Sequence, residues 1–344
     1  MKILICGLGS IGQRHLRNLM KLKKENFEIA AYRTRNLEIV ISEKLEAEFG
    51  TKPEEYFNIK TFHSLEESFL WKPNLVFVTN PISLHIKTAI VAASNKANIF
   101  IEKPLDSSLK GLKELKKLIY DNNLKVMVGY QMRYHPAYQR IKEEIASNKL
   151  GQIISADLHF GEYLPGMHPY EDYRDSHASR MDQGGGVIGC LSHEIDLAYW
   201  FFGFPKSIFA FGGQLSNLQM DVEDNVDIIL GCENNGNQFP VHIHLDFIQS
   251  PPRRFTHIVR NNGSILYNHA KNTLEINHKD NISSEIINFK DFNRNDMFLS
   301  ELEDFLKSIK GFKDSPISIK QGEDVVRICL AAKESMSKKS KINL

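Results

Sequence analysis

Cysteine is scarce: Cys6, Cys190, Cys232 and Cys329 are the four in 344 residues, with no CxxC and no Cys/His pair at zinc spacing. A disulfide scaffold and a structural zinc site are excluded on that ground, no metal is expected, and buried, reduced thiols in a cytoplasmic protein are the plain reading. An excess of charge is also missing, with 43 Lys+Arg against 42 Asp+Glu. Neither nucleic acid nor an anionic membrane is therefore an expected partner. Long apolar runs are absent: Leu75–Val78 and Val187–Ile188 fall far short of the roughly 20 residues that span a bilayer. The opening Met1–Gly7 already reads as strand and turn, which leaves no room for a secretory leader. Repeats and low-complexity linkers are lacking too. What is present is 42% hydrophobic residues in a chain long enough for two domains, sufficient for a large core without disulfides.

Up to about residue 130, short apolar runs alternate with amphipathic stretches. The expected strands are Lys2–Cys6, Phe27–Tyr32, Asn58–Phe62, Leu75–Thr79, Asn98–Ile101 and Lys125–Val128. The expected helices are Ile11–Lys24, Asn36–Phe49 (closed by Gly50), Ser64–Phe69, Leu84–Asn95 and Leu109–Asn122. Strands alternating with helices of this length predict a parallel, doubly wound sheet. Beyond residue 150, strands at Gln152–Gly161, Ser207–Phe211, Asn225–Gly231, Phe239–Gln249, Phe255–Arg260 and Ser264–Tyr267 follow one another with short turns, the pattern of a mostly antiparallel sheet. Helices are expected at His193–Phe202, Asp296–Ile309 and Gln321–Ser337. The fold class is α/β plus α+β, with domains at 1–125 and 126–344.

Gly7-Leu8-Gly9-Ser10-Ile11-Gly12 has the GxGxxG spacing, directly after a strand and at the opening of a helix. In that context the glycines have separate tasks: a tight turn, close approach of backbone to a pyrophosphate, and tight packing of helix on sheet. The helix N-terminus then offers N–H groups and a positive dipole end to the phosphates. Gly7, Gly9, Ser10, Ile11 and Gly12 are accordingly assigned to a dinucleotide. The acidic residue that reads ribose hydroxyls in NAD sites is missing from the end of the second strand. That strand ends in Tyr32-Arg33-Thr34-Arg35, with Arg33 21 residues beyond Gly12. Arginine there suits a 2′-phosphate, so NADP(H) is expected in preference to NAD(H). The competing readings are a surface charge or an arginine stacked on adenine. Asn80, His85, Glu102 and Lys103 complete the expected cofactor set.

Glu102-Lys103-Pro104 sits at the carboxyl end of a strand, where open α/β sheets bind ligands. Gly184-Gly185-Gly186 leads into His193-Glu194-Ile195-Asp196 at the start of a helix. With the glycine turn and Val128–Pro136, these segments resemble the glucose–fructose oxidoreductase/inositol dehydrogenase family, over nearly the whole chain and in the family's order. The resemblance implies a Rossmann domain followed by an open-faced antiparallel sheet that pairs with its mate in a homodimer or homotetramer. It also implies Lys103 beside the reacting oxygen and His193 as general acid/base, roles suited to hydride transfer at a sugar carbinol. The sequence departs from the family at Gly189, four residues before His193, where many members carry Asp; either His193 acts with Lys103 alone, or another carboxylate such as Glu162, Glu171 or Asp172 fills the gap. Gln131 stands where Asn is frequent.

The segment His159–Arg174 is dense in aromatic and charged groups. Arg133, Tyr163, Tyr173, Arg174 and His193 are the expected contacts of a small sugar-type substrate: a sugar, sugar phosphate or nucleotide sugar. His242 and His244 alternate on one strand and so share a sheet face; with no third ligand in view, packing or a dimer interface is the better reading. An NADP(H)-dependent sugar dehydrogenase or ketosugar reductase is the expected function. The alternatives are a non-catalytic regulator sensing dinucleotide or sugar, and a lyase or glycosidase using bound NAD as a transient oxidant.

Overall fold

The computed structural model describes residues 1–22, 26–35, 37–279 and 284–344. The chain forms two compact units: Met1–Tyr130 with Phe298–Glu323, and Gln131–Met297 with Asp324–Leu344. They are not consecutive stretches, because the chain re-enters the first unit after building most of the second.

The first unit contains, in order, β1 (Lys2–Cys6), α1 (Ser10–Lys21), β2 (Glu28–Tyr32), β3 (Ile39–Ile41), β4 (Ala47–Phe49), α2 (Pro53–Tyr56), β5 (Lys60–Phe62), α3 (Leu65–Leu70), β6 (Leu75–Val78), α4 (His85–Ser94), β7 (Asn98–Glu102), α5 (Leu112–Asp121) and β8 (Val126–Gly129). Six strands form one sheet in the order β5-β2-β1-β6-β7-β8, every pairing parallel. Counting only this sheet's strands, the order is 3-2-1-4-5-6, the doubly wound arrangement whose order reverses between β1 and β6. β6 and β8 are buried at every residue, as strands covered on both faces must be. Residues of the returning segment complete this core: the Phe305 ring lies 5.8 Å from Phe100 and Phe298 lies 6.3 Å from His15.

The helix expected over Asn36–Phe49 is not formed. Asn36 lies outside the described residues, and β3 and β4 pair as an antiparallel hairpin, Ile39 opposite Phe49. Ile39-Val40-Ile41 is β-branched throughout and favours a strand. The Ser42 hydroxyl then accepts from the backbone N–H groups of Lys44 (3.2 Å) and Glu46 (3.1 Å), which reverses the chain. Gly50, at φ 83°, follows this hairpin rather than closing a helix. Lys24, the expected end of the first helix, also lies outside the described residues.

The second unit contains α6 (Pro136–Ser147), β9 (Ile153–Gly161), α7 (Leu164–Met167), α8 (Val187–Cys190), α9 (His193–Phe202), β10 (Ser207–Gly213), β11 (Asn225–Asn234), β12 (Asn237–Asp246), β13 (Arg253–Arg260), β14 (Gly263–Asn268), β15 (Thr273–His278) and β16 (Glu285–Asn288). The chain closes with α10 (Arg294–Ile309), α11 (Ile319–Lys338) and β17 (Ile342–Asn343). The nine-stranded sheet runs β16-β15-β14-β13-β9-β12-β11-β10-β17; its ladders are antiparallel except β12 on β9, which is parallel. Leu158, Ile228, Ile243 and Ile258 are fully buried on one face. The alternating residues Asp157, His159, Asp227, His242, His244 and His257 lie on the other. Among the described residues no helix is long and apolar enough to cross a membrane.

Candidate active site

The glycine turn is built as the sequence predicts. Gly7 has φ +111° and donates its N–H to the Tyr32 carbonyl at 2.9 Å; a Cβ there would stand 2.8 Å from the Thr79 carbonyl oxygen. A Cβ on Gly12 would lie 2.0 Å from the Gly7 oxygen, so only glycine lets α1 begin this close to β1. Gly9 is different: no atom lies within 4 Å of where its Cβ would be. It caps α1 without a side-chain hydrogen bond, and the first turn, from Ser10 and Ile11 onward, carries no acidic residue. The N–H groups and positive dipole end of α1 therefore stay available to an anion, beside open space. These residues fit a pyrophosphate.

Arg33 is placed otherwise than expected. It is 6% exposed, and its guanidinium is ion-paired with Glu54 of α2. It also donates to the carbonyls of Leu37 (2.6 Å) and Arg35 (2.9 Å). A fork with three acceptors of its own is poorly disposed to take a phosphate. Thr34 and Arg35 are exposed at the same strand end. Sequence inspection misses Glu54, which lies in a short helix 21 residues beyond Arg33.

Asn80 donates from its side chain to Thr88 Oγ1 (2.8 Å). His85 is 1% exposed, with its ring nitrogens 2.9 Å from the Pro104 oxygen and 2.8 Å from the Asn80 oxygen. Burial lowers its pKa. It braces the turn that carries Lys103 rather than presenting a ring edge outward. Glu102 Oε1 lies 2.7 Å from the wholly buried His15 ring, and Oε2 accepts the Lys103 N–H at 3.2 Å. The backbone on which Lys103 stands is thus fixed from both sides.

In the second unit, His193 is the first residue of α9 and 7% exposed. Its Nε2 lies 3.2 Å from the side-chain nitrogen of Gln131. Arg133, expected on substrate, makes a bidentate pair with Asp196 (2.6 and 3.0 Å), both residues buried. Arg254 pairs with Glu194 at 2.6 Å. Asp196 and Glu194 thus anchor the helix that carries His193, and their place directly after it was the signal in the sequence. Arg174 binds Asp172 through two contacts of 2.9 Å, which holds that carboxyl down to about 2. The Tyr173 hydroxyl accepts from the Gln219 N–H (3.1 Å), and Tyr163 is exposed. Of the candidates to replace the family carboxylate, Asp172 is engaged with Arg174 and Glu171 lies 3.3 Å from His168. Glu162 is half-buried, its pKa raised chiefly by burial.

On the open sheet face His244 is joined by His159 of β9 and by Asp246, while His242 stands outside that group. Nitrogen and oxygen atoms of His159, His244 and Asp246 lie within 4.8 Å of one another. The His159 and His244 rings are stacked, with centroids 4.6 Å apart and planes at 19°, so their in-plane lone pairs do not converge on one ion. The arrangement is a hydrogen-bonded chain. His242 bridges Asp157 (3.0 Å) and Asp227 (2.9 Å), and His244 bridges Asp227 (2.8 Å) and Asp246 (3.0 Å). Hydrogen bonding to Asp157, then to Asp227, lifts the His242 pKa to about 9. The thiols of Cys6, Cys232 and Cys329 are pushed by burial to about 12.

Comparison with known proteins agrees with this architecture. Residues 1–130 match the model of the oxidoreductase family with an NAD-binding Rossmann fold, and residues 138–266 match the GFO/IDH/MocA C-terminal domain. The chain belongs to the GFO/IDH/MocA oxidoreductase family. A myo-inositol 2-dehydrogenase of Thermotoga maritima is 24% identical over 100% of this chain and 98% of its own. A scyllo-inositol 2-dehydrogenase (NAD(+)) of Bacillus subtilis is 30% identical, over 44% of this chain and 42% of its own. Matches to the first curated relatives span 33% to 51% of those proteins. Among solved structures, the WlbA dehydrogenase from Bordetella pertussis with NADH and UDP-GlcNAcA superposes with TM-score 0.82 at 16% identity, covering 100% of this chain and 98% of that one. Levoglucosan dehydrogenase with NADH and levoglucosan gives 0.82 at 19%, covering 100% and 99%.

Proposed function

We propose that the chain is a nicotinamide-dependent dehydrogenase or reductase acting on a sugar-type CH–OH group. The observation that carries this is the N-terminus of α1, uncapped by any side chain, free of acidic residues and bordered by open space at Gly9. Gly7, Gly9, Ser10, Ile11 and Gly12 hold the pyrophosphate there. The bound nicotinamide supplies a hydride acceptor or donor. Lys103, on a turn fixed by Glu102 and braced by His85, steadies negative charge on the reacting oxygen. His193 takes or returns the hydroxyl proton. Arg133 acts on substrate through the placement of α9, and Tyr163, Tyr173 and Arg174 line the substrate segment. Sugars of the kinds named for the relatives are the substrate class.

NAD(H) is favoured over the NADP(H) expected from sequence, because the Arg33 guanidinium is already satisfied by Glu54 and two carbonyls, while the ligand-bound neighbours named above carry NADH. The open sheet face exposes Phe209, Phe211 and Ile229, a patch suited to burial in a homodimer or homotetramer. Cytoplasmic residence remains the expectation from the reduced thiols. The test is fluorescence titration with NADH and NADPH, followed by absorbance assays at 340 nm with inositols and nucleotide sugars, for wild type and Lys103→Met. An enzyme loses turnover in the variant and keeps dinucleotide binding; a sensor shows no turnover in either.

A further inference from the structure

We infer that Gln131 is the positioning residue for His193, fixing which nitrogen of the imidazole carries the proton. The inference rests on the dehydrogenase reading only in giving His193 its acid/base role. Gln131 opens the turn Gln131–Tyr134 just after β8 and is 5% exposed; its side-chain nitrogen lies 3.2 Å from His193 Nε2. The charged groups on the same elements pair with one another: Arg133 with Asp196, and Glu194 with Arg254 from β13. The group contributed by the turn to the imidazole is therefore a neutral amide.

An amide N–H can only donate, so Nε2 must offer its lone pair, and a neutral ring then carries its proton on Nδ1. Free histidine prefers the opposite form, with the proton on Nε2. Gln131 thus imposes the less common tautomer and keeps at Nε2 the lone pair a general base uses. A substrate hydroxyl takes that lone pair over when it donates its proton. A carboxylate in the same place would accept instead, drawing a proton onto Nε2 and favouring the imidazolium. The substitution of amide for carboxylate sets the resting state of the base.

The tautomer is read directly by long-range 1H–15N NMR of the full-length protein labelled at histidine, at pH 8, with His193→Asn to assign the signal. Wild type is expected to show His193 protonated on Nδ1. Gln131→Met should move the proton to Nε2, and Gln131→Glu should give the Nε2–H or doubly protonated ring. A wild-type ring protonated on Nε2, as an amide turned the other way would require, overturns the inference, as does an unchanged tautomer in both variants. If Gln131→Met does not fold, Gln131→Glu decides alone. Titration with NADH separates the two readings: a wild type that binds no dinucleotide sinks the dehydrogenase reading and leaves the tautomer result standing.

Discussion

Replacing Glu54 by Gln removes the ion-pair partner of a guanidinium that is almost wholly buried. The Arg33 fork keeps its bonds to the Leu37 and Arg35 carbonyls at 2.6 and 2.9 Å, so the cost is less than the full about 3–5 kcal/mol of orphaning a buried charge. It is closer to one charge-assisted hydrogen bond, about 1.5–3 kcal/mol. At roughly 2–4 °C per kcal/mol for a unit of this size, the melting temperature should fall by roughly 3–12 °C. The second effect is on cofactor choice. With Glu54 neutralised, the cation at the end of β2 is no longer cancelled and a negative charge has gone from its side, so a 2′-phosphate becomes better tolerated. If the guanidinium turns to that phosphate, it gains the bond it lost, and the NADPH-to-NADH affinity ratio should rise roughly tenfold to a hundredfold, at 1.4 kcal/mol per decade. Paired fluorescence titrations and differential scanning fluorimetry measure both. A wild type that already binds NADPH tenfold tighter, or a variant with an unchanged ratio and melting point, would refute the idea that the Arg33–Glu54 pair neutralises this strand end.

Three further outcomes are expected. Gly12→Ala, whose Cβ would meet the Gly7 oxygen at 2.0 Å, should cost about 1–3 kcal/mol by overpacking and abolish detectable NADH binding, because the turn itself must move; retained binding would contradict the assigned cradle. Arg133→Met leaves Asp196 buried without its bidentate partner and should cost about 3–5 kcal/mol in denaturant unfolding near neutral pH. The penalty should shrink as pH falls and the carboxyl protonates, its pKa being raised by burial. His242, at about 9 in the folded chain against 6.5 otherwise, stabilises most below pH 6.5 and loses that contribution as pH rises through 9. Wild type should therefore be more stable at pH 6 than at pH 9 by a margin that His242→Asn reduces, in part only, since the ring is 42% exposed.

Much of this was legible because period and punctuation agree in the sequence. The bounds of β1 and α9 and the GxGxxG turn follow from apolar runs set against glycine, and GxGxxG has one steric solution at Gly12. Residues 39–49 were illegible for a physical reason: Ser42, which could sit in a helix, turns the chain through its own hydroxyl, and β-branched residues on one side of it tip the balance to a hairpin. β16 escaped because it is four residues long and mostly exposed, so no alternation marks it; β15 does alternate, with Leu274 and Ile276 buried, but offers only those two apolar residues. The return of residues 298–323 to the first unit is a matter of what the apolar faces of α10 and α11 touch, which period alone does not name.

The arginines make the same point more sharply. Arg33, Arg133 and Arg174 each looked like a ligand group, because residue type and place in the motif are visible in sequence and the partner is not. Each has a carboxylate of its own: Glu54 from a distant helix, Asp196 from the helix of His193, Asp172 two residues away. Arg33 and Arg133 are buried, and a buried guanidinium left without partners costs more than any single contact returns. With the Arg33 guanidinium paired to Glu54, the groups that the first unit leaves open beside Gly9 are neutral ones, the N–H groups at the start of α1.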